Sequence, residues 1–181
     1  QTLPEEELTP FDQQMFHIYS NIIHFQELCF SFSCILDLII IEDQVIADAM
    51  GIIPGERISY YDVMQKANAL HPLIQQLKNK NNNEWTDSER ALSKVIAELN
   101  EISQDQFARL VKIIPPENIL SEGNWLSPWE LINNQQIGMK QQRLLNILSN
   151  YLNARFNGKQ LEANNLLTEY KEALSPYKSL I

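Results

Sequence analysis

Apolar residues along this chain recur mostly at spacings of three and four, so the pattern predicts helices throughout. Thr9-Pro10 offers an N-cap followed by proline at the first helical position, and opens a helix to about Glu27. Its apolar positions Phe11, Met15, Ile18, Ile22 and Phe25 fall on one face, read as a core face. Cys29 to Ile41 is apolar on nearly all sides and predicts a central buried helix, with a short strand at Ile39-Ile40-Ile41 as the alternative. Glu42 to Met50 predicts a short helix stopped by Gly51, and Ile53-Pro54-Gly55-Glu56 a turn. Ser59 and Asp62 have capping-box spacing, and the helix they start carries Val63, Ala67, Leu70, Ile74 and Leu77 on one stripe. Pro72 should kink or split that helix near Leu70.

After the polar loop Asn81-Asn82-Asn83, Thr86 to Glu89 forms a second capping box. The next helix places Leu92, Val95, Ile96, Leu99 and Ile102 together, and could run on past a break near Ser103 to Ile114. Pro115 and Pro116 end it, because neither can donate a helical hydrogen bond. Ser127-Pro128 repeats the cap-plus-proline arrangement and starts a helix to about Asn133. A long helix over 138–156, a cap at Gly158 and a last helix over 159–174 predict an antiparallel hairpin. The fold expected is all-α: a single domain spanning 1–181, an irregular bundle of about six to eight helices closed by that C-terminal hairpin. Residues 1–8 read as an acidic, frayed leader.

Composition adds exclusions. The 181 residues suit one domain with a substantial core. Hydrophobic residues at 44% and charged residues at 20% make a globular composition. A net charge of −9 and no basic cluster leave nothing to neutralise phosphates, so nucleic acid is not an expected partner. Within the apolar stretch Ile22 to Ile41, His24, Gln26, Glu27 and Asp37 argue for a buried segment over a membrane span. The opening residues lack the basic-then-apolar order of a signal peptide.

Candidate chemistry is sparse. Cys29 and Cys34 lie five apart, well round a helix axis from each other, so two buried free thiols are expected over a disulfide or a metal pair. His17 and His24 share a helix face but are about 10 Å apart along the axis, too far to hold one metal. His71 sits before Pro72 with no partner in sequence. Nucleophile elbows, glycine-rich phosphate loops and spaced calcium ligands do not occur. No catalytic residue, cofactor site or metal site is therefore expected, and an enzyme is the least favoured class. Three tryptophans remain. Trp85 precedes a capping box, in a staple position; Trp125 and Trp129 flank Ser127-Pro128. Core or staple is the first reading for the last two, and partner anchors, together with Pro115 and Pro116, the second.

These residues also carry a resemblance. Ile58 to Met64 looks like an S-[YF]-x-D-[LV] segment following Ala49-Met50-Gly51-Ile52, and Glu89 to Leu99 is similar to the helix after it. Ile113-Ile114-Pro115-Pro116 with Trp125-Leu126-Ser127-Pro128 resembles an I-x-P … W-x-S passage. Tyr151-Leu152-Asn153-Ala154 with Gly158-Lys159 and Ala163-Asn164 looks like a Y-L-x-A … G-x … A-[ND] hairpin. Together, over roughly residues 50–175, the chain resembles the extracytoplasmic region of fused ResB/CcsA-type cytochrome c biogenesis proteins, the cytochrome c haem-lyases. Residues 1–49 depart from that family, and its tryptophan-rich haem-handling loop, membrane helices and haem-ligating histidines have no counterpart here. The resemblance implies a non-catalytic interaction domain on the periplasmic side of a bacterial membrane. Its partner would be apocytochrome c or the membrane part of the same assembly protein. A free-standing helical adaptor or secreted effector acting by protein contact, cytoplasmic or exported, is the alternative.

Overall fold

The computed structural model describes residues 9–103, 111–118, 124–134 and 137–180, with side chains described as far as Tyr177. Eight α-helices among them and one two-stranded sheet make an all-α-dominated fold. The expected leader at 1–8 lies outside the described residues.

The helix α1 (Pro10–Phe32) starts as expected, with Thr9 Oγ1 accepting from the Asp12 N–H and Asp12 accepting in return. It then runs past Glu27 without a break and ends in a 3₁₀ turn at Ser33–Ile35. Its apolar stripe does not face the core: Phe11 is 70% exposed and Phe25 67%. Only from Ser31 onward does the chain enter the interior, where Cys34 and Ile35 are fully buried.

The all-helical reading of Cys29 to Ile41 is corrected. Ile39–Ile41 is strand β1, which pairs antiparallel with β2 (Glu56–Ile58), Ile40 opposite Arg57. So short a ribbon gains its stability from burying one face, and Ile39 and Ile41 point into the core while Ile40 points out. Between the strands lies α2 (Gln44–Met50), capped by Asp43 and closed by Gly51 at φ 64°. The expected turn follows, and Gly55 (φ 83°) donates to the Ile41 carbonyl.

Ser59 and Asp62 form the expected capping box on α3 (Tyr60–Gln65). The break before α4 (Ala67–Lys78) falls at Lys66, not near Leu70, and Pro72 sits within α4. Lys66 turns its ammonium to the Met50 carbonyl at 2.8 Å, a tertiary contact that favours the break there. Thr86 and Glu89 cap α5 (Asp87–Ser103), with Leu92 and Val95 buried. The expected continuation through 104–110 lies outside the described residues. Residues 111–114 are not helical: Ile114 is extended and bridges Leu126, each N–H donating to the other's carbonyl. The two prolines thus follow an extended segment and do not stop a helix.

After this bridge, α6 (Pro128–Asn133) is capped by the Ser127–Glu130 box. The closing hairpin forms as expected from α7 (Met139–Phe156) and α8 (Gln160–Ala173). Gly158, at φ 70°, donates to the Arg155 carbonyl and Lys159 to that of Ala154, the crossed pair of a Schellman cap. One continuous core takes in the 3₁₀ turn after α1, the sheet, the buried faces of α2 to α5, Trp129 and Leu131 of α6, and Leu144, Leu145 and Leu148 of α7.

Candidate functional site

The capping box at Ser127 fixes where α6 begins, and so where the tryptophans on either side of it go. Ser127 is fully buried; its N–H donates to Glu130 at 2.8 Å and its Oγ accepts the Glu130 N–H at 3.1 Å. The Lys112 ammonium lies 3.3 Å from the same carboxylate. Burial pushes the Glu130 carboxyl up, but the Ser127 N–H and the Lys112 charge outweigh it and hold the group below its ordinary value. The box is therefore charged at neutral pH.

That start turns Trp129 inward. Its ring, 1% exposed, packs 4.8 Å from Tyr60, and its Nε1 donates to the Phe30 carbonyl at 3.0 Å and towards Ser33 Oγ at 3.3 Å. Pro115 and Pro116 are buried as well, and the Pro115 carbonyl accepts from Gln141 at 3.1 Å. These three residues serve packing, which leaves Trp125 as the member of the set with accessible surface.

Trp125 is half-buried. Its ring meets Tyr177 edge-on at 6.4 Å. Tyr177 in turn lines a shallow groove of about 210 Å³ with Lys140, Arg143, Leu144, Ala173 and Pro176. Arg143 also pairs with Glu169 at 2.9 Å. On a chain of net charge −9, the Lys140 ammonium and the Glu169-paired Arg143 lie beside an apolar floor and an aromatic rim, the mixed make-up of a protein-contact surface. Sequence reasoning missed Lys140, Arg143 and Tyr177 here, because they come from two helix ends far apart in the chain.

The other candidates stay apart. His17 and His24 are exposed on α1; His71 is exposed on α4, where its Nε2 meets Gln75. Cys34 is buried as expected, and desolvation pushes its thiol far up, so it is inert. Cys29 is not: it is exposed on α1, correcting the expectation of two buried thiols. Among the described residues no group of acidic, histidine or cysteine side chains is placed to hold a metal ion. No helix among them is long and apolar enough to cross a membrane.

Asp37 lies in a second cavity, about 400 Å³, beside Arg57 and Asn153. Desolvation raises its pKa first, the Asp62 charge adds to this, and the Asn153 hydrogen bond only partly opposes it. A carboxyl raised on folding costs stability above its folded pKa and recovers it as the pH falls towards the unfolded value. Asp37→Asn should therefore raise the melting temperature at pH 7, by roughly 1–2 °C after allowance for solvent screening, with the gap closing near pH 3. Melting curves at the two pH values check this; a gap that widens in acid contradicts it.

No family model, curated protein or solved structure matches this chain.

Proposed function

We propose that the chain is a non-catalytic interaction domain of a cytochrome c assembly protein, working on the extracytoplasmic side of a bacterial membrane. The observation that carries this reading is the contact between Tyr60 and Trp129. It links Tyr60, within the Ser59 to Val63 segment of the family resemblance, to Trp129, the residue that directly follows the Trp125 to Pro128 segment, and the two segments are far apart in sequence. Segments that resemble one family in pieces, and support one another in space, favour a shared fold over chance likeness. The partner surface on this reading is the Trp125 edge with the Tyr177 groove, and the partner is apocytochrome c or the membrane part of the assembly protein.

The test is holocytochrome c yield in cells whose assembly protein carries Trp125→Ala. The expected result is a several-fold loss of holocytochrome with the domain's melting temperature within about 2 °C of wild type, since a half-exposed rim ring contributes little to the core. An unchanged yield removes the contact role of Trp125. Unchanged yield after deletion of the whole domain removes the cytochrome reading. A free-standing helical adaptor then becomes the working account, and the exposed apolar face of α1 favours it over an enzyme.

A further inference from the structure

Among the described residues, most of α1 has no apolar neighbour to cover it. Phe11, Met15, Ile18, Ile22 and Phe25 are 70%, 49%, 47%, 51% and 67% exposed, with Tyr19 at the flank of this face at 63%. A helix that only covers its own core buries such a face. Here the core is reached only at Ser31, and Pro10–Phe30 presents its apolar side to solvent.

The spacing of that side is informative. From Phe11 to Cys29 the steps are four, three, four, three and four, a seven-residue repeat sustained over most of three heptads. This is the repeat that keeps a seam facing a second helix as the two wind round each other. Over so short a run a straight helix face shows the same steps, so the spacing permits a seam and the exposure calls for a partner. The five seam side chains with Tyr19 at their flank offer on the order of 700 Å² per helix, close to the contribution of one partner to an interface of ordinary size.

The flanks discriminate between occupants. Of the positions beside the seam (Asp12, Gln14, Tyr19, Asn21, Gln26 and Leu28) only Asp12 is charged, so two copies meet with almost no like-charge repulsion. An interfacial membrane helix uses Lys and Arg on its polar face to reach anionic lipid, yet none occurs between Pro10 and Glu56. The same seam on both partners is self-complementary, which lets the contact close as a two-fold pair.

We propose that α1 pairs with α1 of a second copy of this chain through the Phe11–Met15–Ile18–Ile22–Phe25 seam. In a parallel pair the exposed Cys29 of each copy lies at the same level of the seam, and in an antiparallel pair the two lie at opposite ends. This does not rest on the cytochrome-assembly reading and stands or falls separately from it.

Sedimentation of the 181-residue chain at micromolar concentration should give twice the mass of 21.0 kDa. The double variant Ile18→Asp, Ile22→Asp should sediment at 21.0 kDa with an unchanged near-ultraviolet spectrum, because neither side chain is in the core. If that variant loses helicity, Ile22→Ser serves instead and should weaken the dimer at least tenfold with an unaltered far-ultraviolet spectrum. Mild oxidation should link Cys29 to Cys29 in a parallel wild-type dimer and not in the variants. A wild-type monomer overturns the proposal, as does a dimer that survives the substitutions, or polydisperse aggregation. A monomer that floats with phosphatidylcholine vesicles overturns it in favour of lipid. A dimer that the substitutions break but oxidation does not link supports the seam in its antiparallel form.

Discussion

Trp129→Ala should lower the unfolding free energy by about 3–5 kcal/mol, the cost of emptying a site built around a large aromatic ring. The ring is 1% exposed, tilted against Tyr60 at 4.8 Å, and its N–H holds the Phe30 carbonyl at 3.0 Å. Two losses therefore add: the packed volume, and the donor to a carbonyl at the end of α1. Trp129→Phe separates them, since it retains much of the volume and removes only the donor, for about 1–3 kcal/mol. Against a total of about 5–15 kcal/mol, the alanine variant should shift the melting midpoint by on the order of 10 °C. Urea denaturation of the two variants reads both numbers. An alanine variant within about 1 kcal/mol of wild type would mean that this ring does not hold α6 and the end of α1 together.

The inward turn of Trp129 marks where the sequence stops being legible. The cap at Ser127 can be read, because capping is settled by residues three apart. So can the boxes at Ser59 and Thr86, the Gly51 stop and the Gly158 hairpin, all of them local chemistry. The direction in which the ring points depends on Tyr60 and Phe30, the latter 99 residues away, and no short window contains that information. For the same reason Pro115 and Pro116 can be taken for surface anchors, although both are buried and Gln141 from the closing hairpin donates to the Pro115 carbonyl.

The helix α1 shows the complementary limit. Its stripe is visible in the sequence and does mark a face of a helix, but periodicity cannot say what lies opposite that face. A core face presumes that this chain supplies the opposite side; the structure leaves it open. Exposure, and not spacing, separates a seam from a core face here, since the steps from Phe11 to Cys29 fit a straight helix face as well.

The triplet Ile39-Ile40-Ile41 admits a test of the same kind. Ile41→Ala should cost about 2–4 kcal/mol, because Ile41 is fully buried in a core that cannot collapse freely around a strand paired on one side. Its neighbour Ile40 is 39% exposed and points to the opposite face. Ile40→Ala should therefore change stability by no more than about 1 kcal/mol. The contrast between neighbours is what decides the matter. On a buried helix, positions 40 and 41 would be only about 100° apart and both could be covered. On β1 they are opposed, and the pairing of Ile41 with Glu56 and Ile40 with Arg57 fixes which one enters the core. A helix-like result, with both substitutions costly, would return this segment to the helical reading. The strand predicts one costly and one near-neutral change, because successive strand residues face opposite sides of the sheet and only one side is covered by the core.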